Sequence, residues 1–529
     1  MVKSWLTNCL NSHVLCQQPQ EFVPSRLLKL DPARKSFSLT LKESLGPTVQ
    51  YIALSYCWGV DDEKKLKLTK QNLEVLKSGV FLSSLPKTLQ NAFKIAQELG
   101  IQFLWVDRLC IIQNSRQDWF CESNQMQDVY SSAFVTVCAH GAAGDSDGCF
   151  STRNHSDIAP TEVSLAFRSK SEKLPYLLSE NSVTWGKRFD SPAIKRGWIL
   201  QEQLLSRRIL SFGRQQVFWE CRSISCCETY PAGVPSFKSA SASVDQQKLL
   251  WKAPLNVALK APNMPPLHFE LDAVGYCMLE WDQTVHEYSG RCLTRGYDKL
   301  IAISGLANQM GEKLRSLGAD DKYHAGIWAV LLPRSLLWMM TNPRRRESAE
   351  ERAPSWSWAA SEGNLDQNGQ KMHSNAETLV SDIQVSTSTR EHSGIVVEGR
   401  LSLKGRLAVP MLGERVVRHI NNAHTIPLSQ LRNSGTAECI PVEEGFIVFD
   451  DVQPMSSEVE LFCLPIVYDV ARLRYLRLPF IARWAIQGLI LQGEHAGFRR
   501  VGYFAWVPRL ENDHRKFLTR LSEVLIEIR

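Results

Sequence analysis

A chain of 529 residues is too long for one hydrophobic core, so about two to four domains are expected. Hydrophobic content of 44% and charged content of 22% are those of an ordinary globular protein, and a net charge of +6 is too small to argue for nucleic-acid binding. The basic run Arg344-Arg345-Arg346 reads as a solvated loop.

The first twenty residues lack the apolar core and cleavage site of a secretory signal. No run approaches the roughly 18 apolar residues of a transmembrane helix. The 14 cysteines follow no disulfide rhythm, so they are expected to be reduced and mostly buried in a cytoplasmic protein. Their tightest group, Cys221 with Cys226 and Cys227, lacks a nearby histidine or a second pair at zinc spacing, and no metal site is expected. Fifteen tryptophans, many beside Gly, Ser or Glu, favour polar-lined pockets, because a buried indole N–H needs an acceptor.

In chain order, YIALSYC (51–57) is an apolar strand that ends in hydroxyls, a thiol and an indole. A charged stretch, DDEKKLKLTK, follows as a surface loop or short helix. Ser84 is then expected to cap a helix whose Leu85, Leu89, Ala92, Phe93, Ala96 and Leu99 share one face, with Gly100 as the stop. IQFLWV (101–106) is a second strand ending at Asp107. Ser115 opens a helix expected to run to about Tyr130, and AFVTVCA (133–139) is a third strand. Strands alternating with helices predict a parallel α/β sheet with right-handed crossovers. No dinucleotide fingerprint, P-loop or HExxH helix supports those chemistries.

From about 195 the texture changes. RGWILQEQLL is a short helix, and a β-hairpin turns around Gly213-Arg214. Residues 240–345 read as mainly helical, with AGIWAVLLPRSLLWMM as a buried helix. Alternating runs from 375 to 510 predict an antiparallel β region with a charged helical tail. The expected domains are an extension (1–49), an α/β domain (50–205), a mainly helical region with a hairpin (206–365) and a β-rich region (366–529). The β region is expected to pack onto the helical one, since no flexible tether separates them and SWSWAA offers two tryptophans to wedge between.

Strands of a parallel sheet end at one edge, where ligands bind. Ser55, Tyr56, Trp58 and Gly59 after the first strand therefore converge with Asp107 and Arg108 after the second. Trp119, Glu122, Met126 and Val129 share one helical face, which puts a carboxylate on an apolar stripe near that edge. Two readings of Glu122 stand: an ion pair with Arg108 or Arg196, or a catalytic carboxylate. Arg196, Trp198, Gln201 and Glu202 form a second polar-aromatic cluster, readable as an internal lock or as pocket wall. Neither Cys57 nor Cys110 has a histidine partner in sequence, which argues against a thiol nucleophile.

YIALSYCWG, LPKTLQNAFKIAQELGIQFLWVDRLCIIQ, CFSTR and RGWILQEQLLSRRIL together resemble, in order and spacing, the fungal heterokaryon-incompatibility (HET) domain. The pattern Trp5, Cys9, His13, Cys16 and the motifs DKLIAISGLA, YHAGIW, APSWSWAA and GFRRVGYF are similar to stand-alone proteins of that family. The resemblance implies a cytoplasmic effector of growth arrest or cell death when incompatible fungal cells fuse. It also implies a TIR/flavodoxin-like sheet, since HET domains are remotely similar to TIR domains, some of which hydrolyse NAD. On that comparison NAD is a substrate candidate, with self-association or other incompatibility proteins as partners; Glu122 is the catalytic candidate from its helical face, not from a motif shared with TIR domains. The alternatives are a non-catalytic interaction module and a small-molecule tailoring enzyme with a pocket between the α/β and helical regions. No further cofactor is implied.

Overall fold

The computed structural model describes residues 1–17, 22–59, 65–154, 156, 158–165, 174–178, 191–234, 272–344, 352–366, 376–389, 396–412, 418–420, 423–433, 439–441, 444–451, 459–471, 483–494, 497–508 and 513–529. Residues 235–271, Arg345 and Arg346 lie outside them, as do positions 60–64 of the charged stretch. The chain forms two compact units: Met1–Leu267 with Ala302–Leu306, and His268–Ile301 with Ala307–Arg529.

The first unit is built on a nine-stranded sheet. Its elements are α1 (Val2–Ser12), β1 (Arg26–Asp31), β2 (Ser36–Leu41), β3 (Tyr51–Ser55), α2 (Leu73–Ser78), β4 (Val80–Phe81), α3 (Lys87–Glu98), β5 (Phe103–Trp105), α4 (Asp107–Cys110), α5 (Arg116–Asn124), α6 (Met126–Ser132) and β6 (Val135–Cys138). A separate hairpin, β7 (Thr161–Leu165) and β8 (Leu174–Leu178), precedes α7 (Gly197–Leu205), β9 (Arg208–Phe212), β10 (Val217–Cys221) and β11 (Ser225–Cys227).

Every residue of β3 is buried, as a strand covered on both faces requires, and β3 is the middle strand of the nine. It pairs in parallel with β5 and β6, and β6 pairs in parallel with β9. Read along the chain, these parallel strands stand in the order 2-1-3-4. Antiparallel strands continue the sheet on both sides, β1, β2 and β4 beyond β5, and β10 and β11 beyond β9. The sheet is therefore mixed, not wholly parallel, and it draws strands from both sides of the 50–205 segment.

Two local expectations change and two hold. Ser84 does not cap α3: its hydroxyl donates to the Phe81 carbonyl, and Pro86 occupies the cap position without a side-chain bond. Gly100 does end the helix, with φ of +73°, a conformation that costs glycine little. Ser115 caps α5 as expected, accepting from Asp118 N–H. The helix nevertheless breaks at Gln125, whose ψ of −2° separates α5 from α6.

In the second unit, helix Ala273–Ser289 is capped by Asp272, which accepts from Gly275 N–H at 2.7 Å. The expected helix over 325–340 is absent. Ala325 and Gly326, with φ of +46° and +99°, turn a hairpin that pairs Tyr323–His324 with Ile327–Trp328. Pro333, which has no N–H to continue a helix and holds Leu332 extended, stands between two 3-10 turns. The apolar side chains are buried all the same: Leu336, Leu337 and Trp338 are sealed from solvent.

A twelve-stranded sheet of segments between Glu377 and Ile528 completes this unit. Its described pairings are antiparallel except that of Gly497–Val507 with Glu523–Ile528. The tail is helical only over Asp513–Leu518; the alternating EVLIEI beyond it pairs with Val396–Arg406 as a strand. Both SWSWAA tryptophans are buried, and the Trp356 indole donates to the Gly399 carbonyl of that strand at 3.4 Å.

Candidate functional site

The parallel strands of the first unit end at a common edge. The chain order reverses between β3 and β6, which is where such a sheet opens a crevice beyond its strand ends. The loop after β3 and the loop after β6 meet there. A Cβ on Gly59 would lie 3.0 Å from the Gly144 backbone, and Gly59 has φ of +72°, so only glycine suits this crossing.

Four strand-exit residues interlock beneath it. The Trp58 indole N–H donates to Asp107 Oδ2 at 2.9 Å, and Arg108 N–H donates to Asp107 Oδ1 at 2.7 Å. Arg108 is fully buried; its guanidinium pairs with Asp145 and lies 4.5 Å from the centre of the Trp58 ring. Lys65 reaches the other Asp145 oxygen at 2.8 Å and the Trp58 carbonyl at 3.1 Å. Burial raises the Asp107 carboxyl above the usual range, opposed by Arg196, Arg108 and Trp58. One face of Trp58, the residue expected as a stacking platform, is thus occupied by Arg108.

The second cluster faces the same strand exit. Arg196 donates to the Tyr56 carbonyl; burial works to lower its affinity for the proton, but Asp107 and Glu202 hold it up. Glu202, on α7, is 7% exposed, and burial pushes its carboxyl up to about 7 against the pull of the Ser55 hydroxyl and Arg196. Tyr130 lies beside it and bonds to the Leu54 carbonyl at 3.4 Å. Burial also raises the Tyr56 phenol well above its ordinary value. Ser55, Tyr56, Asp107, Arg108, Arg196 and Glu202 are accordingly brought together. A carboxyl poised near neutrality can give or take a proton, which is the chemical asset of this cluster. The nearby thiols are not poised: burial raises Cys57, and Cys110 to about 12.

Glu122 has a different setting. It is 3% exposed, but its partner is neither Arg108 nor Arg196. Arg26 of β1 donates to Glu122 Oε1 at 2.8 Å and to Asp118 Oδ1 at 2.7 Å. Asp118 in turn accepts from Ile112 N–H at 2.7 Å. Burial raises the Glu122 carboxyl, and Arg26 opposes the rise. Trp119 and Trp198 meet edge to face at 6.3 Å, joining α5 to α7.

Sequence reasoning missed Asp145, Lys65, Tyr130 and Arg26. The edge rule could have found Asp145, which follows β6 in the Gly-rich stretch GAAGDSDG. Arg26 carried no signal, because its strand lies in what read as an extension.

The family described as Heterokaryon incompatibility protein (HET) matches residues 51–202. The chain is also similar to "Heterokaryon incompatibility protein 6, OR allele" of Neurospora crassa, at 30% identity over 131 residues. That stretch is 23% of this chain and 19% of the relative, so the chain spans about a fifth of the length of the curated relative it matches. No solved structure matches. Among the described residues, no helix is long and apolar enough to cross a membrane.

Proposed function

We propose that this chain, whose residues 51–202 are a HET domain, acts in heterokaryon incompatibility as a cytoplasmic effector of growth arrest or cell death, with the strand-exit cluster as its working part. One observation carries this reading. The matched segment starts at Tyr51, the first residue of β3, and ends at Glu202, so it encloses Ser55, Tyr56, Trp58, Asp107, Arg108, Asp145, Arg196 and Glu202.

The chemistry that suits this cluster is hydrolysis of the nicotinamide–ribose bond of NAD, in which water replaces nicotinamide at the ribosyl carbon. The bond breaks through an oxocarbenium-like state, and a carboxylate beside the ribose stabilises that charge. Glu202 is the better candidate for this role, because it stands near neutrality beside Ser55, whereas Glu122 is engaged by Arg26. Arg196 would hold Glu202 in place or bind a phosphate of the substrate.

Two measurements test the reading. Expression of the full chain in fungal cells should arrest growth, and Glu202→Gln should relieve the arrest. The purified chain incubated with NAD should release nicotinamide, detected by chromatography. Arrest without nicotinamide would assign the effect to assembly with other incompatibility proteins or with itself. Absence of arrest with the folded wild-type chain would overturn the effector reading.

A further inference from the structure

The amino-terminal segment holds a group of side chains that the strand-exit cluster does not use. Cys9 lies on α1, His13 follows it by four positions, and Cys16 closes a 3-10 turn over Val14–Cys16. Cys221 is the last residue of β10, against which α1 packs. We propose that Cys9, His13, Cys16 and Cys221 bind a zinc ion as a closed, four-coordinate structural site.

The donor atoms have the right spacing. Those of all four residues lie within 4.8 Å of one another. A tetrahedral ion with Zn–S bonds of about 2.3 Å sets its sulfurs about 3.8 Å apart, so a small inward closure reaches coordination distance. His13 Nδ1 and Cys221 Sγ are already 3.3 Å apart. Cys9 and Cys16 are fully buried and Cys221 nearly so, and all three are free thiols. A disulfide would use two of them and strand the third, and packing alone would not bring a histidine into a knot of thiols. Three sulfurs and an imidazole suit zinc, whereas calcium and magnesium require oxygen.

The surroundings are those that thiolate ligands need. Arg208 Nε donates to Cys9 Sγ at 3.2 Å, and Ser223 N–H donates to Cys221 Sγ at 3.5 Å. Three thiolates with one Zn²⁺ leave a net charge of about −1, and the buried Arg208 guanidinium neutralises it. Arg208 also bonds to the Cys16 carbonyl at 2.6 Å, fixing the turn that presents that ligand. With four protein ligands no position remains for substrate, so the ion's role is to hold α1 to the edge hairpin. Cys226 and Cys227, the sequence neighbours of Cys221, belong to β11 and are not among the four.

The full-length chain, expressed with added zinc and purified reduced without chelator, should carry about one zinc per molecule by plasma mass spectrometry. Cys226→Ser should keep it, while His13→Ala and Cys221→Ser, assayed on folded material, should lose it about tenfold. Because loss of a ligand can unfold the unit, the wild-type chain supplies a second readout. Co²⁺ exchanged for zinc should show the visible d–d absorption of a tetrahedral thiolate site. A folded wild-type chain with no zinc and no such absorption overturns the proposal, as does full zinc retention by folded His13→Ala and Cys221→Ser.

Discussion

Arg26, the first residue of β1, donates a 2.8 Å hydrogen bond to Glu122 across 96 residues of sequence, and both side chains are nearly sealed from water. The same guanidinium holds Asp118, so one arginine joins the start of β1 to two turns of α5. A buried pair of this kind contributes little against an apolar replacement, yet breaking it strands a charge.

Glu122→Gln should therefore lower unfolding stability by about 3 kcal/mol, read as a shift in the urea midpoint. Arg26→Met should cost more, since it strands Glu122 and Asp118 together. Nicotinamide release by either folded variant should remain. A midpoint unmoved in Glu122→Gln, with release abolished, would return the catalytic role to Glu122.

Glu202 gives a prediction with a pH sign. Its carboxyl is raised from 4.5 to about 7, chiefly by burial. The native state thus holds the proton more tightly than the unfolded chain. Its stabilising share is complete below 4.5 and is lost as pH rises through about 7. A rise of that size corresponds to about 3 kcal/mol. Glu202→Gln keeps the neutral form at every pH, so it should match the wild type near pH 4 and exceed it near pH 8, by about 3 kcal/mol in the difference between the two curves. Parallel stability curves across this range would show that Glu202 is not so perturbed.

The parts of the fold that could be read in the sequence share one cause, which is local periodicity with a clear stop. The apolar run of β3, the Gly100 stop of α3 and the hairpin at Gly213 each announce themselves within ten residues. What could not be read depends on distant partners. Arg26 was hidden because β1 joins the sheet through β5, more than seventy residues later. The 325–340 run misled for the opposite reason: its apolar content is real, but the turn at Ala325 and Gly326 and the proline at 333 both interrupt a helix. Similarly, the strand-exit residues were legible by position, whereas the Asp145 counter-charge for Arg108 arrives on a loop whose fold no pattern specifies.

Asp145 should prove to be the electrostatic keystone of the strand exits. It is fully buried and answers both Arg108 and Lys65. Asp145→Asn leaves the Arg108 guanidinium buried without a full counter-charge, and should destabilise the first unit by about 3 to 5 kcal/mol. Arg108→Lys should also fail to restore stability, because an ammonium cannot both reach Asp145 and lie flat over Trp58. A double-mutant cycle between Arg108→Met and Asp145→Leu should show coupling of at least about 1 kcal/mol. Additive losses would mean that the pair is incidental.

The last prediction concerns the second unit, where Arg500 ties the twelve-stranded sheet to the segment before it. Its guanidinium is buried, bonds to Asp450 at 3.0 Å, donates to the Leu336 and Trp338 carbonyls, and stacks 3.3 Å from the Trp338 ring centre. Arg334 adds a buried pair to Asp469 of the sheet at 2.8 Å. These bonds satisfy carbonyls that a non-helical chain would otherwise leave buried without donors. Limited proteolysis near residue 370 should therefore give fragments that remain together on gel filtration. Arg500→Met should loosen that association, because it removes at once the bonds to two buried carbonyls and the ion pair to Asp450. Release of a free, stable fragment beginning near residue 370 from the wild-type chain would show instead that the sheet folds without the segment before it.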